Sequence, residues 1–127
     1  MDYVEELKSI PKLAATGEAL ASYAKSLIPG MELVKKGRLW VGSPHNFVAF
    51  EIQAARARQI RFTIYAQPYG FKRYAALSLW RARSSYWEFI VKDPRQLGPA
   101  AAYIARAAYV YSQKHKRSAW LEGIGEL

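Results

Sequence analysis

Arg58-Gln59-Ile60-Arg61-Phe62-Thr63-Ile64-Tyr65 alternates polar and apolar side chains without a break. A period of two puts Ile60, Phe62 and Ile64 on one face of a strand and Arg61, Thr63 and Tyr65 on the other. One face belongs to a core, and the strand needs neighbours. Segments 31–35, 38–41, 47–53, 75–81 and 86–92 supply them, with Val48, Phe50 and Ile52 repeating the alternation in the third. Lys36-Gly37 and Arg83-Ser84-Ser85 are links too short for parallel crossovers, so the strands should run antiparallel. The expected sheet is an antiparallel meander of four to five strands.

Helical patterns flank it. In residues 1–30, Leu7, Ile10, Leu13 and Ala14 recur at helical spacing, and Pro11 marks a break or a new first turn. Thr16 reads as an N-cap, followed by a stripe of Leu20, Tyr23, Ala24 and Leu27 that Pro29-Gly30 stops. Beyond Asp93-Pro94, a helix whose first turn holds Pro99 should run to about Lys116. Its stripe is Ala101, Ile104, Ala105, Ala108 and Tyr111. The fold class is thus α+β, a meander flanked by N-terminal helices and a C-terminal helix. Residues 1–117 form one domain. Residues 118–127, with Trp120, Leu121, Ile124 and Leu127, are an apolar tail or the start of an oligomerisation segment that would make a homodimer.

A chain of 127 residues holds one sizeable core. It has no cysteine, which removes disulfides, thiol catalysis and cysteine-bound metal. No apolar run is long enough to span a bilayer, and Asp2, Glu5 and Glu6 stand where a signal peptide would be basic. The expected address is cytoplasmic, with no membrane partner. Asn46 is the only asparagine and methionine occurs twice, a scarcity of labile residues that thermophile proteins share.

Credible catalytic chemistry is missing. Between residues 31 and 117 the carboxylates are Glu32, Glu51, Glu88 and Asp93. Glu51-Ile52-Gln53 has the shape of half a restriction-type nuclease motif, but no aspartate precedes it in the body of the chain. A cross-sheet pair of Glu51 with Arg61 or a neighbour is the better use of that charge. His45 and His115 have no partner at metal-ligand spacing. No phosphate-binding glycine loop or nucleophile elbow occurs. The expectation is no enzyme, no catalytic residue, no metal and no cofactor.

Charge points elsewhere. The net charge is +9, and it is local. Residues 54–92 hold eight Lys and Arg against Glu88 alone, interleaved with nine of the eighteen aromatic residues. Single-stranded nucleic acid is bound by cations that track phosphates and aromatic faces that take unstacked bases. Duplex readers use a basic helix in the major groove, and neither helical region has that pattern. The candidate binding residues are Arg56, Arg58, Arg61, Tyr65, Tyr69, Lys72, Arg73, Trp80, Arg81, Arg83 and Tyr86. If helices cover both faces of the sheet, Tyr65, Tyr69, Trp80 and Tyr86 are core. If one face is bare, they are stacking positions. Phe62 and Phe89 read as core.

Arg58–Tyr65 together with Trp80-Arg81-Ala82-Arg83-Ser84-Ser85-Tyr86-Trp87, set between helices in a basic, cysteine-free chain, resembles ThermoDBP. That family comprises single-stranded DNA-binding proteins of thermophilic archaea. The likeness is one of architecture and composition over residues 1 to about 117. It implies a cleft with an aromatic floor and a basic rim, DNA favoured over RNA, and little sequence preference. It also implies a dimerising C-terminal coiled coil, whereas ten residues with two glycines follow Arg117. The same outline resembles a small domain fused to restriction-type endonucleases in bacteria, which implies an accessory module pairing through an apolar surface.

Overall fold

The computed structural model describes residues 2–66 and 72–114. The expectations for Tyr69, His115 and the 118–127 tail lie outside them.

Asp2 accepts a hydrogen bond from the Glu5 amide at 3.0 Å and starts α1 (Tyr3–Leu7), with Glu5 and Glu6 in its first turn. Pro11 then opens α2 (Pro11–Leu27). Proline suits a first turn because its missing N–H would have no partner there. Thr16 is therefore not an N-cap. It lies buried inside α2, between Leu13 and Leu20 on the core-facing stripe. Gly17 on that stripe brings α2 close to the sheet. A Cβ there would stand 2.5 Å from Leu7 Cδ2 and 2.9 Å from Ile60 Cδ1.

The sheet has six strands: β1 (Glu32–Lys36), β2 (Leu39–Ser43), β3 (Val48–Gln53), β4 (Gln59–Tyr65), β5 (Trp80–Arg83) and β6 (Tyr86–Val91). All neighbours are antiparallel, in the order β1-β2-β3-β4-β6-β5. The first four strands form the expected meander. The last two exchange places: β6 pairs with β4, and β5 takes the outer edge. Residues 75–79, expected to be strand, lie outside the sheet. A backbone bridge from Tyr74 to Leu77 bends the chain there, and Leu77 and Leu79 are buried. The cause is Tyr103. Its hydroxyl accepts from the Tyr74 amide at 3.0 Å and donates to the Leu77 carbonyl at 2.6 Å, so these groups are satisfied away from a ladder.

Tyr103 belongs to α3 (Leu97–Lys114), entered through a short 3-10 turn at Pro94–Gln96. The Asp93 carboxylate accepts from the Arg95 amide, and the Gln96 side chain accepts from the Lys92 and Asp93 amides. The buried stripe runs through Ala100, Tyr103, Ile104, Ala107, Ala108 and Tyr111, rotated from the expected one so that Tyr103 replaces Ala101 and Ala105.

The helices share one face of the sheet. Trp40, Phe50, Phe62 and Phe89 are register partners in one row across β2, β3, β4 and β6. Phe62 and Phe89 stack at 5.1 Å, and Tyr103 caps the row 5.4 Å from Phe89. Tyr3 of α1 meets Trp40 and Phe50 edge-on. Burial on β3 alternates strictly, and β4 follows the same pattern until its last residue. Among the described residues, no helix covers the opposite face of the central strands, whose side chains there are half-buried.

Candidate nucleic-acid interface

Register composes the face opposite the helices. Val41, Ala49, Thr63, Glu88 and Trp80 follow one another across β2, β3, β4, β6 and β5. Small side chains at Ala49 and Thr63 lower the middle of this row, and Trp80 stands at its edge. The result is a groove of about 650 Å³, walled by Leu39 and Val41 on one side and by Trp80, Arg81, Arg83 and Tyr86 on the other. Trp80 is 38% exposed. It also borders a smaller hollow of about 260 Å³ next to Ile90 and Lys92.

Five of the sequence candidates meet here: Arg61, Trp80, Arg81, Arg83 and Tyr86. Arg81 and Arg83 are exposed and border the groove; Arg83 pairs with Tyr86, Arg81 pairs with Trp87, and the register shifts between them next to the turn at Ser84, whose φ is +46°. Arg81 Nε donates to the Ser84 carbonyl at 3.3 Å, and the Arg83 guanidinium lies 6.0 Å from the Tyr86 ring centre.

Arg61 has a different occupation from the expected one. Its Nη2 donates to Glu51 Oε1 at 2.7 Å, and its Nε lies 3.9 Å from Glu88 Oε2. The cross-sheet pair with Glu51 is thus present. Gln53 Nε2 also donates to Glu51 Oε1, and Thr63 Oγ1 donates to Glu88 Oε2 at 3.2 Å. Two carboxylates share one guanidinium, so Arg61 is neutralised where it stands. Sequence reasoning saw Glu51 but missed Glu88, the one carboxylate of the basic segment and therefore visible by its isolation.

Tyr65 does not face the groove. It is buried, with its ring edge-on to Tyr86 at 5.8 Å and to Tyr111 at 5.6 Å. The last turns of α3 cover this end of the sheet and place Lys114 Nζ 6.0 Å from the Tyr65 ring. Tyr65 backs Tyr86 and offers no free face of its own. Burial pushes the Tyr111 hydroxyl above its ordinary pKa, and the neighbouring Tyr86 and Tyr65 add to the shift. His45 is half-buried, edge-on to Tyr111 at 5.8 Å.

The remaining candidates are not brought to the groove. Arg56 and Arg58 are exposed in the β3–β4 turn, at the opposite end of β4 from Tyr86; Arg58 has φ of +49°. Arg73 donates to the Leu79 carbonyl at 2.7 Å and lies 5.0 Å over the Trp87 ring. Trp87 pairs with core-facing Ile64, which puts Arg73 on the helix side of β6. Lys72 sits 5.7 Å over Tyr74. Among the described residues, no group of three or more His, Cys, Asp or Glu could hold a metal ion. None of the described helices is long and apolar enough to cross a membrane.

Comparison with protein-family models, with curated proteins and with solved structures finds no match.

Proposed function

We propose that the protein binds single-stranded DNA in this groove, with little overall sequence preference and without catalysis, as the resemblance to ThermoDBP implies. The observation that carries the reading is the wall formed by Trp80, Tyr86, Arg81 and Arg83 on a sheet face that no described helix covers. Two aromatic rings offer faces to unstacked bases, and two exposed guanidinium groups beside them meet the phosphates. The long helices α2 and α3 spend their apolar stripes on the core, and the aromatic wall lies on a sheet, which suits splayed strands better than a major groove. A cytoplasmic location goes with this reading.

An accessory module pairing through an apolar surface is less well supported. Among the described residues, the exposed large apolar side chains Tyr23, Val34, Trp80, Leu97 and Tyr109 are dispersed over both long helices and the two edge strands. The test is Trp80→Ala, measured by anisotropy of a labelled single strand. Loss of one stacking ring should cost about 1–3 kcal/mol of binding and leave the salt slope unchanged. A folded Trp80→Ala protein with wild-type affinity would remove the reading.

A further inference from the structure

We propose that the groove selects guanine at one position of the bound strand, through the carboxylate of Glu88. This rests on the single-strand reading and adds a base preference to it.

Trp80 and Glu88 are register partners, so their Cβ atoms are close neighbours on one face. A base lying on the Trp80 ring has its edge within reach of the Glu88 side chain. Glu88 is held from the far side. Its Oε2 accepts from Thr63 Oγ1 at 3.2 Å and lies 3.9 Å from Arg61 Nε. Oε1 has no hydrogen bond among the described residues, and an ionised carboxylate offers about four acceptor positions.

Charge says what kind of edge fits. Arg61 spends its short bond on Glu51, so the floor keeps one negative charge in excess within a protein of net charge +9. Phosphates are repelled from such a floor and stay at Arg81 and Arg83. The floor favours a neutral edge that donates. Guanine alone presents two adjacent donors, N1–H and the N2 amino group, which match the two oxygens of a carboxylate. Adenine and cytosine set an acceptor nitrogen beside their amino group, and thymine sets its N3–H between two carbonyls. In a single strand the whole Watson–Crick edge is free to be read this way.

The experiment uses the full chain and oligothymidine strands of about fifteen nucleotides whose central base is thymine, guanine, adenine, cytosine or hypoxanthine. Each competes against a labelled all-thymine strand. The guanine strand should bind about tenfold more tightly than the thymine, adenine or cytosine strands. Hypoxanthine keeps N1–H but lacks the N2 amino group, and should lose most of that advantage. Glu88→Gln, checked for folding by its melting curve, should lose the guanine preference and bind the all-thymine strand more tightly, because a negative charge has left the groove. Binding that ignores the central base, or a guanine preference that survives in Glu88→Gln, overturns this inference and leaves the single-strand reading standing. Failure of every strand to bind overturns both.

Discussion

Replacing Arg61 by alanine separates a structural cation from a phosphate contact. Arg61 is 36% exposed, while its partners Glu51 and Glu88 are 14% and 19% exposed. The substitution would leave two largely buried carboxylates facing each other without their guanidinium. Breaking a fully buried pair costs about 3–5 kcal/mol, and losing a surface pair costs under about 1 kcal/mol. The partial exposure of Arg61 places this case between, at about 2 kcal/mol. For a domain of this size that lowers Tm by about 8 °C. Arg81→Ala, at an exposed position, should move Tm by no more than about 2 °C. Converting the whole cluster, as Glu51→Gln, Arg61→Met and Glu88→Gln together, should recover most of the stability, because no unpaired charge remains. Thermal melts by circular dichroism, with strand titrations on the folded proteins, read all three. An Arg61→Ala protein that melts with the wild type, yet loses affinity with a salt slope shallower by about one contact, would refute the ion-pair account.

Gly17→Ala should destabilise by about 1 kcal/mol and lower Tm by about 4 °C. The gain in helix propensity of about 1 kcal/mol is outweighed because the terminal methyls of Leu7 and Ile60 must shift, and both side chains are fully buried in the core. Asp93 is held at about 2 against its ordinary 3.8, first by the hydrogen bond from the Arg95 side chain and then by that from the Arg95 amide. A lowered folded pKa gives stability that is present above about pH 4 and lost as pH falls toward 2, so the Tm gap between wild type and Asp93→Asn should close across that window. Arg81→Gln with Arg83→Gln should leave Tm nearly unchanged and flatten the slope of log K against log salt by about 1.4, two phosphate contacts at about 0.7 each.

Local periodicity made much of the sheet legible. The alternation of Ile60, Phe62 and Ile64 in β4 predicted its buried face, and Phe62 and Phe89 are core. The pairing of Glu51 with Arg61 follows from the same alternation once β3 and β4 are neighbours. What stayed hidden depends on contacts between distant residues. The loss of strand at residues 75–79 turns on Tyr103, which captures backbone nearly thirty residues away. Tyr65 obeys the period of its strand, yet α3 covers its end of the sheet with Tyr111. Thr16 has the chemistry of a cap, but Pro11 starts the helix earlier. The second carboxylate at Arg61 stayed hidden because Glu88 meets it only through the pairing of β6 with β4.

If Trp80 and Tyr86 hold bases, single and double strands must compete unequally for the groove. A labelled single strand bound to the full chain at about 0.1 M salt is displaced by unlabelled single strand or by duplex of equal length. Two stacking rings at about 1–3 kcal/mol each predict that single strand competes at least tenfold better than duplex. Duplex competing as well as single strand would contradict the account, since charge density alone favours duplex and paired bases have no faces to offer.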